Sequence, residues 1–200
     1  EAHDGVLAVR DVRGGGAWLP ADPAAGRLAV LLNRADVSTR PESELVSRGG
    51  IVLEAVAGRS PAGDPATHGF NLVEVEGPRA RVHTWDGVTL RTTELAPGTH
   101  MIAHDDVDDS ATPRIERWLG DFQATEPAAE GRWWMPWVQV LERSAELPPT
   151  DRGTVIRDNR PHGYPTLSLL ACVASVSSAD VDVHYGELRE PGQWGGLELR

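Results

Sequence analysis

Two short reversals between residues 70 and 93 limit what this chain can fold into more than any other feature. Residues 70–75, 81–85 and 88–92 are each of strand length and rich in β-branched and aromatic side chains. Glu76-Gly77-Pro78 turns the chain between the first two runs, and Asp86-Gly87 turns it between the second and third. Both residue types of the second turn tolerate positive φ, which makes it the strongest hairpin signal in the sequence. Strands joined this closely pair antiparallel, so the segment is expected to form a β-meander.

The remaining segments are placed around that meander. Residues 6–9 and 17–19 are short strand candidates, the second ended by Pro20, with a turn over residues 10–16. Residues 27–32 form a continuous apolar run of strand length, the pattern of a strand buried on both faces. Residues 43–58 are expected to be helical, with Leu45, Val46, Val52, Leu53 and Val56 sharing a face and Gly49-Gly50 weakening its middle. Thr112-Pro113 opens a second helix, Thr at the cap and Pro at the first helical position, with Ile115, Leu119, Trp118 and Phe122 facing inward. Residues 137–145 are helical after Pro136. Residues 166–175 and 181–188 are strands, and 195–200 a last edge strand. Strands cluster and helices cluster, which is the signature of an α+β fold rather than of alternating βαβ units.

Composition narrows the function. The chain has 200 residues, enough for one domain with a sizeable core. Its net charge is −11, and all 19 basic residues are Arg. An acidic chain without a basic stripe argues against nucleic acid and against anionic membranes as partners. The single cysteine, Cys172, excludes an intrachain disulfide framework and a multi-cysteine metal site. No apolar run reaches the ~18 residues of a spanning helix, and no signal-peptide pattern is visible, so a cytoplasmic location is expected.

Two clusters invite a chemical reading. His100 and His104, followed by Asp105, Asp106, Asp108 and Asp109, resemble a metal-ligand set. Histidines at i and i+4 meet only on a helix, however, and the Pro97-Gly98 break argues against one; the acidic run also lacks the glycine and terminal Glu of a calcium loop. No metal and no cofactor are expected. Three tryptophans, Trp133, Trp134 and Trp137, fall within five residues. They are either core packing or an aromatic wall for a flat or long apolar ligand.

The order of several short motifs carries a resemblance. Gly15-Gly16-Ala17-Trp18-Leu19 is followed by the apolar run ending in Asn33, then by Ser47-Arg48-Gly49, His68-Gly69-Phe70-Asn71-Leu72 and Leu95-Ala96-Pro97-Gly98-Thr99-His100. Tyr164-Pro165-Thr166-Leu167-Ser168 and Trp194 extend the pattern towards the C-terminus. Together these resemble the NRDE family, also called the transport-and-Golgi-organisation family. The resemblance implies an N-terminal-nucleophile-hydrolase-like fold: an αββα sandwich of two stacked, mainly antiparallel sheets. It also implies a mature chain starting at a Cys and carrying an Asn-Arg-Asp-Glu string, neither of which is seen here. Asn33-Arg34-Ala35-Asp36 matches that string only superficially. Residues 1–200 are therefore expected to be a single family domain lacking roughly its first 40 residues.

Within that resemblance the glycines before Trp18 let the backbone pack closely, Trp18 walls a cleft, and Asn33 ends a buried strand as a candidate oxyanion donor. The plainer alternative makes Trp18 core and Asn33 a strand cap. Arg48 is either a bidentate holder of a carboxylate or phosphate, or a structural or surface arginine. Asn71, polar within an apolar strand, is either a structural clamp or a site residue. Thr166 and Ser168 alternate on one strand face and are candidates for the cleft lining. Trp18, Asn33, Asn71 and Thr166 are expected to converge on one concavity. Two functions follow from the resemblance. One is a Cys amidohydrolase whose nucleophile is not in these residues. The other is a non-catalytic carrier of an apolar ligand, haem or an acyl-coenzyme A or lipid. The expected partner is a small-molecule amide or apolar ligand.

Overall fold

A computed structural model describes residues 2–3, 5–10, 17–164 and 166–200, with the backbone alone at Ala2, His3 and Arg10. The glycine turn expected before Trp18 lies outside the described residues. The contacts divide the chain into two compact units.

The first unit comprises Glu1–Pro97, Ile102–Val107 and Ser175–Asp182. Its frame is a sheet of seven strands in sequence order: β1 (Ala2–His3), β2 (Val6–Arg10), β3 (Ala17–Asp22), β4 (Arg27–Asn33), β5 (Phe70–Glu76), β6 (Arg79–Trp85) and β7 (Leu90–Glu94). Every neighbouring pair is antiparallel. The continuous apolar run became β4, the middle strand, and it is buried from both sides: Leu28 on one face, Ala29 and Leu31 on the other.

Helix α1 (Gly49–Val56) covers the face that carries Ala29 and Leu31. Its Val52, Ala55 and Val56 pack with Ala17, Ala29, Leu31, Phe70, Leu72 and Trp85 in one core. Each Phe or Leu fully removed from water here is worth about 1.5–3 kcal/mol.

Several sequence expectations are corrected in this unit. The helix is half the expected length: residues 42–44 form a separate 3-10 turn, and Leu45 is extended at φ −87°, ψ 139°. Gly49 and Gly50 open the helix instead of interrupting it. Glycine is poorly tolerated in a helix interior, whereas the first turn has N–H groups without intrahelical partners anyway. Leu45 and Val46 consequently do not share the helical face of Val52 and Val56.

Pro20 does not end its strand. It lies opposite Ala8, while β3 pairs with β4 only through Ala21–Leu28 and Asp22–Arg27. The proline lies next to the last pair of that ladder, where it has no N–H to donate. The reversal at Asp86-Gly87 is a hairpin as expected, but its loop has four residues, since Trp85 pairs with Leu90. Only Gly87 takes positive φ, and Asp86 Oδ1 accepts the Val88 and Thr89 N–H groups at 3.0 and 2.7 Å.

The second unit comprises Gly98–Met101, Asp108–Ala174 and Val183–Arg200. It holds α2 (Pro113–Gln123), which buries Ile115 and Trp118, and α3 (Met135–Ser144), which buries Val138, Val140 and Ser144. Thr112 is the cap residue of α2, yet its hydroxyl makes no capping bond. Strands β8 (Leu170–Val176) and β9 (Val181–Glu187) form a two-stranded sheet whose tip belongs to the first unit. β8 starts four residues later than expected. Thr166 is exposed outside any strand, and Leu167 makes only an isolated bridge to Asp158.

The expected last strand over residues 195–200 is also absent. Arg200 and Tyr185 exchange one pair of backbone bonds, and Leu199 is buried against Trp134 and Val138, but no ladder forms. The protein is thus mixed α and β with two antiparallel sheets and a few helices. No described helix is long and apolar enough to cross a membrane.

Candidate functional site

A cavity of about 250 Å³ opens in the first unit where the β3–β4 ladder stops. Trp18 on β3 and Leu31 on β4 lie beyond the last pair of the ladder and line the cavity. The extended segment after the 3-10 turn forms another wall with Leu45 and Val46. Arg48, Glu42 and His68 supply the polar lining. Trp18 and Arg48, singled out from the sequence on different motifs, therefore meet here.

The polar side of the cavity is a defined network. His68 Nδ1 lies 3.0 Å from Asp36 Oδ2, and its Nε2 lies 3.3 Å from Glu42 Oε1. Asp36 Oδ2 also accepts the Gly69 N–H at 2.9 Å. That approach requires glycine: a Cβ at position 69 would sit 2.9 Å from the carbonyl oxygens of Arg34 and Ala35. Hydrogen bonds donated to Asp36 and then to Glu42 raise the His68 pKa above its ordinary value, against a smaller opposing effect of burial. At Asp36 burial pushes the pKa up, but the Gly69 N–H and His68 together outweigh it and hold the carboxyl below its usual range. Arg48 donates Nη1–H to Gly69 O at 2.8 Å. Burial lowers its pKa, and the negative charge of Asp36 partly offsets this. Among the described residues no carboxylate comes within ion-pair distance of Arg48.

His68, Asp36, Glu42, Leu45 and Val46 were not recognised as a cluster from the sequence. The signal available was His68-Gly69, where an imidazole stands beside a glycine at the start of the motif that runs on through Phe70, Asn71 and Leu72.

The other expected residues lie elsewhere. Asn33 is exposed at the end of β4, opposite Phe70, and is not part of the cavity wall. Asn71 is fully buried opposite Leu32, whereas Leu31 pairs with Leu72, so Asn71 faces the other side of the sheet from the cavity. The expected convergence of these residues on one concavity is corrected accordingly. Asn71 is a structural clamp: its Nδ2 donates to Ala103 O at 3.0 Å and Asp105 O at 2.7 Å, fixing the 102–107 segment to the sheet. Thr166 belongs to the second unit, where its hydroxyl accepts from Asn159 Nδ2 at 3.0 Å; Ser168 Oγ accepts the Arg157 N–H at 3.0 Å.

The remaining candidates of the second unit are occupied by packing. His100 Nδ1 and Asp108 Oδ2 pair at 2.6 Å, and Asp108 also accepts the Met101 N–H. Trp133 meets Trp134 and Trp137 edge to face, with centroids 5.5 and 5.7 Å apart, and Trp137 Nε1 donates to Thr125 O. That geometry is favourable core packing for aromatic rings. Cys172 is half-buried in β8, and burial raises its thiol pKa.

A second, smaller cavity of about 80 Å³ lies in the first unit beside Glu74 and Arg27. Its walls are ion-paired: Arg27 with Glu76 at 2.8 Å and Arg81 with Glu74 at 2.7 Å. Glu74 is buried, which raises its pKa, but His83, Arg81 and Ser60 outweigh that and keep it ionised.

No curated protein and no solved structure matches the chain significantly. The family model described as Transport and Golgi organisation 2 matches residues 1–130, which include β1 to β7, α1, α2 and the whole lining of the larger cavity. The chain therefore belongs to the transport and Golgi organisation 2 family.

Proposed function

We propose that this chain binds a small, largely apolar molecule in the cavity between Trp18, Leu31, Leu45 and Arg48, within an N-terminal-nucleophile-hydrolase-like αββα fold. The observation that carries the reading is the cavity itself, where Trp18, Leu31, Leu45 and Val46 adjoin Glu42, Arg48 and His68. The lining joins apolar side chains to convergent polar ones, Glu42, Arg48 and His68, which is a composition found in small-molecule sites. Family membership and the antiparallel sheet covered by α1 support the fold. Binding without chemistry, as in a carrier, is the reading that the described side chains favour, since no thiol lines the cavity.

The amidohydrolase reading keeps one observation in its favour. Asn33 ends the strand that contributes Leu31, on the same face, and an exposed amide there is free to donate to a developing oxyanion. The catalytic thiolate would have to come from a cysteine other than Cys172, whose half-buried thiol is held in its protonated form.

Two measurements test these statements. Titration with a neutral apolar probe such as 4-phenylbutyramide is expected to change a tryptophan fluorescence signal that disappears in Trp18→Phe. Saturable binding that leaves Trp18 unaffected would move the site elsewhere. In the second measurement, the 200-residue chain is expected to leave simple N-acyl amides intact. Hydrolysis that is abolished by alkylating Cys172 would show that the nucleophile is misplaced here.

A further inference from the structure

We infer that Arg48 is the anchor for a carboxylate, so that the ligand of the cavity is a small apolar monocarboxylate rather than a neutral molecule or a phosphate ester. The inference rests on the cavity being the binding site. Arg48 reaches the cavity with a half-buried guanidinium that satisfies one backbone carbonyl, Gly69 O, and meets no carboxylate within 4 Å among the described residues. A guanidinium carries five N–H donors in a planar fork that matches a carboxylate, and one bond to a carbonyl leaves most of that fork open. Asp36 acts on this partly desolvated charge without bonding to it, so the open donors of the fork are left for a ligand anion.

The charges around Arg48 choose between anions. Asp36 is near enough to influence it, and Glu42 lines the same cavity; both are engaged with His68. With His68 protonated the four groups sum to zero, and with His68 neutral to −1. Each negative charge that a ligand adds is therefore opposed, and a carboxylate, with a single charge, is opposed least. A phosphate monoester brings about −1.5 to −2 at neutral pH and would meet Asp36 and Glu42 with uncompensated charge. Trp18, Leu31, Leu45 and Val46 then take the apolar body. The cavity, with room for about eight waters at their liquid volume, suits a short acyl or arylalkyl chain.

The experiment uses three probes of matched body: 4-phenylbutyrate, 4-phenylbutyramide and 3-phenylpropyl phosphate, titrated into the whole chain and read by Trp18-dependent fluorescence and by calorimetry. The carboxylate is expected to bind about tenfold tighter than the amide, as a charge-assisted pair exceeds a neutral one. Arg48→Gln is expected to bring acid and amide to within about twofold of each other, and Arg48→Lys to keep part of the preference. Equal affinity of acid and amide for the unsubstituted chain overturns the carboxylate anchor and leaves the cavity reading standing. Tighter binding of the phosphate ester overturns the choice of anion. Absence of any Trp18-dependent binding by all three overturns the cavity reading itself. If Arg48→Gln fails to fold, Arg48→Lys decides: a preference for acid over amide unchanged from that of the unsubstituted chain overturns the anchoring by the guanidinium fork.

Discussion

Two asparagines show how the same side chain serves opposite ends at neighbouring positions of a sheet. Asn71 is inside, with both Nδ2 hydrogens committed to carbonyls of the 102–107 segment. Asn33 is one strand away, exposed, and unburdened by such partners. Replacing Asn71 by Leu would leave two carbonyls facing an apolar surface. Each acceptor left dry costs about 1–3 kcal/mol, so Asn71→Leu is expected to lower unfolding free energy by at least that much. Asn33→Ala is expected to change it by less than about 0.5 kcal/mol, as exposed substitutions away from special features do. Urea titration of the two variants checks the contrast, and a comparable loss in both would mean that Asn33 has a buried partner. Asn71 could be recognised from its sequence as polar within an apolar run. Whether it clamped a loop or faced a ligand depended on which residue of β4 stands opposite, and register across strands is set by long-range pairing that a single strand does not encode.

Helix α1 shows the same limit one level up. The pattern of Val52 and Val56 marked the helix, and the glycine pair marked a weakness, but the sequence did not say on which side of the glycines the helix would survive. The answer came from tertiary demand: Val52, Ala55 and Val56 have a sheet face to cover, whereas Leu45 and Val46 turn towards the cavity. Runs with one unambiguous feature were legible. The meander strands, β4 and the Pro-initiated α2 and α3 lie within a few residues of where their patterns put them. The last segment was not, because a strand requires a partner over several residues and Arg200 finds only Tyr185. The cavity was half legible for a related reason. Trp18 and Arg48 stand out as residue types, while Leu45, Val46 and His68 become neighbours only through the tertiary fold.

Glycines at the element scale also separate conformational cost from close approach. Gly50 lies in the first turn of α1, and a Cβ there would meet nothing within 4 Å. Gly50→Ala is expected to stabilise the protein by about 0.4–1 kcal/mol, because alanine has less backbone freedom to lose. Gly69→Ala is expected to destabilise it, since its Cβ would press on two backbone carbonyl oxygens that cannot withdraw. Thermal midpoints of the two variants should move in opposite directions; a shift of Gly69→Ala in the stabilising direction would refute the close packing against Asp36.

For the whole molecule, stability and the cavity network are linked through pH. The His68 pKa is raised above 6.5 in the folded protein by Asp36 and Glu42. A raised value means that the folded state holds the proton more tightly than the unfolded state. Its contribution is therefore complete below pH 6.5 and is lost as pH rises through the folded value. Asp36 works in the other direction. Its pKa is held below 3.8, so its contribution is complete above pH 3.8 and is lost as pH falls through the folded value. The alkaline limb is the cleaner test, because several other carboxylates, including Glu74, Glu76 and Asp86, also hold depressed values and share the acid limb. The Cys172 thiol, raised above 9.0 by burial, adds a further decline only beyond that pH. Between pH 6.5 and 9.0 the unsubstituted chain is expected to lose stability gradually, and His68→Gln is expected to be flat. The change will be modest, since the imidazole is 44% exposed and water screens its partners. Chemical denaturation at closely spaced pH values measures both slopes. Identical slopes in the two proteins would show that His68 does not carry the linkage and that Glu42 is not held over the cavity by its charge.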